Sequence, residues 1–196
     1  MKRNFFLMMA LSLSLAFLGS CAHTVERVDT SETIDLSGRW NDTDSRLVAE
    51  EMVNQVLGGA WIDNHQQAHN GKRPVVVVGL VYNKSHEHIN AETFVKNVER
   101  AFINSGRVRL VQAGDKREEL RRERAAQQEF ASMETAKAWG KELGADFMLN
   151  GDINSIVDTY KKERVNFYKV NMELSNLESN EIVWIGDKEI KKYINN

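Results

Sequence analysis

His65 and His69 stand four residues apart, the spacing that puts two imidazoles on one side of a helix, and His86-Glu87-His88 adds two more rings. Imidazoles with a carboxylate are zinc-ligand types. Both groups sit in polar stretches, "NHQQAHNGK" and "NKSHEHIN", and HExxH spacing is absent. Solvated loop residues are the plainer reading, and no metal is expected. Ser85 beside His86 is a nucleophile next to a base, but neighbours in sequence seldom meet in the required geometry, and no GxSxG turn is present. Asp146 and Asp152 are six residues apart. On a strand they would share a side about 20 Å apart, too far for paired acid–base work. They read as a strand boundary and a solvated end. No catalytic set and no cofactor are expected. "LGGAW" lacks the lysine and spacing of a phosphate loop.

Two features point to binding. Lys116 to Arg124 is dense in charge, with Glu118 and Arg122 in the favourable i, i+4 order. It is a solvated helix face or a contact face for an acidic partner. Trp40, in "GRWNDTD", is either an exposed anchor for a partner or a ring packed on the first helix beside its cap.

The elements that would position these residues follow from periodicity and caps. Asn41-Asp42-Thr43-Asp44 are N-cap types before "SRLVAEEMVNQVL", where Val48, Met52 and Val56 recur every fourth residue. Gly58-Gly59 ends that helix. After Pro74, "VVVVGLV" is apolar on both faces, as a strand in mid-sheet is. Asn90 caps a helix over 91–104 with Phe94, Val95, Val98 and Phe102 as its stripe, and Gly106 follows as a left-handed terminator. "RVRLV" is a short strand, "KREELRRERAAQQEF" a charged helix, and Ser132 to Leu143 a further helix. "DFMLNGDINSIV" is a strand. Tyr168, Val170, Met172 and Leu174 alternate with polar residues, and "IVWIGDKEIKKY" follows a turn, so the last two strands form an antiparallel hairpin. The order implies one α/β domain with a mixed sheet covered by helices.

Composition narrows the function classes. The chain has 196 residues, 42% hydrophobic and 28% charged, which suits a folded domain. Its net charge of −2 and lack of a basic stripe argue against general nucleic-acid binding. Cys21 is the one cysteine, so no internal disulfide forms. It follows Lys2, Arg3, an uncharged apolar run from Phe5 to Leu18, and the small residues Gly19 and Ser20. That run is too short to span a bilayer comfortably but fits a signal peptide. The pattern resembles a bacterial lipobox, which implies cleavage after residue 20 and lipid on Cys21. Ala22 after the cysteine suggests sorting to the outer membrane. Residues 21–38 read as a flexible tether with a reach of about 20–25 Å, and 39–196 as the domain.

Several segments together resemble the LpoB-type lipoproteins: "DLSGRWNDTDSRLVAEEM", "VVVVGLVYNKSHEHINAETF", "INSGRVRLV", "ASMETAKAWGKELGADFMLNGDINSI" and "VNFYKVNMELSNLESNEIVWIGDKEIKK". The resemblance covers about Leu36 to Lys192. It implies a three-layer α/β domain similar to the N-terminal domain of TolB, with helices on both faces of the sheet. It implies a non-catalytic lipoprotein on the periplasmic side of the outer membrane that activates a penicillin-binding protein in peptidoglycan synthesis, with no small-molecule substrate. The alternative is a scaffold lipoprotein for a secretion or surface apparatus near the outer membrane. A periplasmic hydrolase is the third class.

Overall fold

The structure, a computed structural model, describes residues 25–130 and 144–195. Two units are separable: Met1–Glu32, and Thr33–Asn196, which holds the core. In the second unit α1 (Asp42–Leu57) is followed by α2 (Trp61–Ala68), β1 (Val75–Asn83), α3 (Ala91–Ser105), β2 (Arg109–Val111), α4 (Gly114–Phe130), β3 (Phe147–Tyr160), β4 (Glu163–Asn176) and β5 (Ile182–Asn195). The helix expected over 132–143 lies outside the described residues.

The sheet order is β2-β1-β3-β4-β5. β1 runs parallel to both β2 and β3, while β3–β4 and β4–β5 are antiparallel. This is the mixed sheet that the sequence leads one to expect. β1 lies inside the sheet, which accounts for its valine run. The β3–β4–β5 ribbons are longer than the alternation alone suggested, with 14 residues in each strand.

Caps set the helix ends. Asn41 accepts from the Asp44 backbone N–H at 3.0 Å and Asp44 accepts from the Asn41 N–H at 3.0 Å, a complete capping box. The last carbonyls of α1 are taken by side chains from elsewhere. Trp61 Nε1 donates to Val56 O at 2.6 Å, and Arg107 donates to Leu57 O. Asn90 accepts from Glu92 and Thr93 at the start of α3, and Gly106 ends it at φ +63°.

One apolar core joins these elements. Val48, Met52 and Val56 of α1, Phe94, Val98 and Phe102 of α3, and Val76, Val78, Leu149, Ile153, Val170, Met172 and Leu174 of the sheet are all buried in one cluster. Burying each such side chain contributes roughly 1.5–3 kcal/mol. Val75 to Val78, which alternate between the two faces of β1, are all buried, so both faces of the sheet are covered there. Helices on both faces were expected; the segment that would supply another helix is not described. Among the described residues no helix is long and apolar enough to cross a membrane.

The segment expected to be tether as far as Gly38 is tied to the sheet from Asp35 onward. Lys192 Nζ donates to Asp35 Oδ1 at 2.8 Å, Arg164 reaches Ser37 O at 3.4 Å, and the fully buried Asn166 donates to Gly38 O at 2.8 Å. The compact unit that holds the sheet begins at Thr33. Gly38 has φ +65°, and a Cβ there would lie 2.3 Å from Ile194 Cγ1. Gly38→Ala is thus expected to cost about 2 kcal/mol, read as a lower urea midpoint with an unchanged slope.

Candidate functional site

The residues singled out in the sequence fall into four places. The first centres on Glu87, in the loop after β1. Its Oε1 accepts the Tyr168 hydroxyl at 2.7 Å and lies 3.3 Å from His86 Nε2. Its Oε2 accepts the Trp40 backbone N–H at 3.0 Å. Trp40 is half-buried, packs edge-on to Tyr168 with ring centroids 5.5 Å apart, and donates its indole N–H to Ser45 Oγ at 2.7 Å. Trp40 so packs beside the cap of the first helix. Burial, reinforced by Glu87, holds the Tyr168 phenol far above its ordinary range, so it stays a hydrogen-bond donor.

His86 does not pair with Ser85. The Ser85 hydroxyl donates to Asn83 Oδ1 at 2.6 Å, while His86 Nδ1 meets Ser155 Oγ on β3 at 2.6 Å. Ser155, His86 and Glu87 so form a hydroxyl–imidazole–carboxylate chain. Its members have other duties. Ser155 Oγ also accepts the His86 backbone N–H at 3.0 Å, and Glu87 serves Trp40 and Tyr168. The chain clamps the 84–90 loop to β3 and β4. Glu87, Tyr168 and Ser155 were not legible as a group because their partners are far off in sequence.

The second place holds His65 and His69. His65 does not lie in a solvated loop: it is on α2 and buried against Phe147, while His69 is exposed in the turn that ends the helix. The two imidazoles stack at 4.1 Å, and His69 Nδ1 meets His65 O at 2.8 Å. His65 Nε2 is 3.7 Å from Asp146 Oδ2. Among the described residues no group of three His, Cys, Asp or Glu side chains converges as metal ligands would; His88 is exposed. Burial, then His69, lowers the His65 pKa below 6.5 against the opposing pull of Asp146. The unfolded chain therefore binds the proton first, and stability falls as pH drops below about 6.5. Unfolding free energy is expected to decline between about pH 7 and pH 5, by at most about 1.4 kcal/mol per pH unit from this group. His65→Gln should flatten that slope in urea titrations; an unchanged slope would remove His65 as its cause.

The third place separates the two aspartates. Asp146 sits just before β3, where its Oδ2 accepts the Val75 N–H at 2.7 Å, a strand boundary as expected. Asp152 is not at a solvated end. It lies within β3, pairs with Asn171 on β4, and accepts from Lys84 and Asn171 at 3.0 Å and from Asn154. Burial acts to raise its pKa, but these donors outweigh it and hold the carboxyl below the usual range. The fourth place is α4, whose Lys116 to Arg124 face is exposed except for the half-buried Arg117 and Arg124. Glu118 accepts from Arg121 at 2.6 Å, one residue short of the expected Arg122. Cys21 lies outside the described residues.

What these geometries define is a mixed α/β domain whose polar clusters fasten loops to a sheet. The family model for the peptidoglycan-synthase activator LpoB matches residues 44–190. The chain belongs to the LpoB family, a family of regulators of cell-wall synthesis. Among solved structures it is similar to the LpoB C-terminal domain from Escherichia coli, with 18% identity, 76% of this chain and 99% of that chain covered, and a TM-score of 0.45. The LpoB C-terminal domain from Salmonella enterica gives 17%, 76%, 99% and 0.44. Lipoprotein GNA1162 from Neisseria meningitidis gives 16%, 63%, 85% and 0.40. No protein with a curated description matches.

Proposed function

We propose that this chain is an outer-membrane lipoprotein, anchored through Cys21, whose domain binds and activates a bifunctional penicillin-binding protein from the periplasmic side. The observation that carries this reading is the family match over residues 44–190, which takes in α1 through most of β5. The domain acts by binding, with no reaction of its own, and the lipid on Cys21 sets where it can bind. The experiment is crosslinking in the intact envelope, followed by identification of the captured protein. Capture of a cell-wall synthase supports the reading; its absence among captured proteins counts against it.

One observation favours a second reading, a scaffold lipoprotein for an apparatus at the outer membrane. The compact unit that holds the sheet begins at Thr33, so only 12 residues, from Cys21 to Glu32, lie between the proposed cleavage site and that unit. Fully extended they reach only about 40 Å. Any partner must therefore come close to the membrane that holds Cys21. The same crosslinking separates the two readings by what it captures.

A further inference from the structure

The segment Asp35–Arg39 runs beside the ends of β4 and β5, and between them opens a cleft of about 810 Å³ lined by Arg39, Arg164, Lys191 and Lys192. Lys192 has its counter-ions at hand, Asp44 at 2.6 Å and Asp35 at 2.8 Å. Arg164 is less well met: one terminal nitrogen reaches Ser37 O at 3.4 Å, and its buried Nε has no hydrogen-bond partner among the described residues. The β3–β4 turn brings Lys161 and Lys162 to the same end, because Glu163 pairs with Asn195 and accepts the Tyr193 hydroxyl at 2.7 Å. Apolar and amphipathic side chains stand exposed among these bases: Leu36 at 93%, Tyr160 at 67% and Tyr193 at 62%.

Exposed bases interleaved with leucine and tyrosine are the make-up of a surface that meets lipid headgroups. The cations attract anionic phosphates, and the amphipathic rings sit at headgroup level. The net charge of the chain is −2, so attraction to an anionic surface calls for a local concentration of bases such as this one. Its place in the chain adds the second argument. Asp35–Arg39 is the segment through which the polypeptide from Cys21 enters the domain. Only 13 residues separate Cys21 from Asp35, about 45–50 Å at full extension.

We propose that this end of the domain docks on the anionic phospholipid surface of the membrane that carries its anchor. The inference rests on the lipid anchor at Cys21. Docking this way turns the opposite end of the sheet, with Asp146 and the Asn176–Glu181 turn, away from the membrane.

The test uses the unit Thr33–Asn196, which holds the whole described core, and vesicles of phosphatidylethanolamine with phosphatidylglycerol, or of phosphatidylcholine alone. The domain should co-sediment with the anionic vesicles, more weakly as salt rises, and not with the neutral ones. Lys162→Gln with Lys191→Gln, both exposed, should weaken that binding about 25-fold, roughly five-fold per base, with an unchanged melting temperature. Leu36→Asn should weaken it further. Absence of binding to anionic vesicles overturns the proposal, as does binding that the double variant leaves intact. Capture by purified peptidoglycan with the same loss in the double variant would assign the patch to a wall polymer and overturn it too. The anchor is tested apart from this, by fractionating cells with Cys21→Ser, so either claim can fail without the other.

Discussion

Glu87→Ala is expected to lower the unfolding free energy of the domain by about 3 kcal/mol. The carboxylate is the shared acceptor for the Tyr168 hydroxyl and the Trp40 N–H, and its side chain is only 12% exposed. Deleting it leaves two part-buried donors without their acceptor, at roughly 1–3 kcal/mol each. Glu87→Gln keeps one acceptor oxygen and should cost about half as much. Tyr168→Phe removes a donor rather than an acceptor and should cost about 1 kcal/mol. Urea unfolding followed by tryptophan fluorescence reads all three. A Glu87→Ala midpoint within about 0.5 kcal/mol of wild type would show that water replaces the carboxylate and that the joint between loop and sheet is not held by it.

Cys21→Ser is expected to move the protein from the membrane fraction to the soluble fraction. The serine oxygen cannot take the thioether-linked lipid, and without lipid the step that exposes the new amino group for a further chain does not occur. Two or more acyl chains give stable anchoring because each buried methylene contributes about 0.8 kcal/mol. The loss should be nearly complete after a wash in about 0.5 M salt, which screens any docking through the basic end of the domain. A Cys21→Ser protein that stays in the washed membranes would refute the anchor.

Local signals were accurate: Asn41 and Asn90 cap their helices, Gly106 ends α3 in the left-handed region, and the valine run at 75–78 is the buried start of β1. α2 was hidden because its N-cap, Ala60, offers no side-chain hydrogen bond. The helix is held by tertiary burial of Trp61, Ile62 and His65 instead. Polar composition misled at Thr33–Gly38, where Asp35 is bound by a lysine 157 residues further on. The Glu87 joint was invisible for the same reason, since its partners Trp40 and Tyr168 lie 47 and 81 residues away. Periodicity reports the face of an element, not which distant carboxylate meets it. The pairing of His86 with Ser155 rather than Ser85 is a case in point: adjacency suggested one hydroxyl, and strand geometry supplied another.

The chain belongs to the family of the peptidoglycan-synthase activator LpoB. The most direct measurement adds the purified unit Thr33–Asn196 to a purified bifunctional penicillin-binding protein from the same cell and follows glycan polymerisation on a lipid-linked precursor. The account predicts a saturable rise in rate with domain concentration, together with more crosslinked product. A rate that stays at its basal value at every domain concentration, with a domain that melts cooperatively, would contradict it.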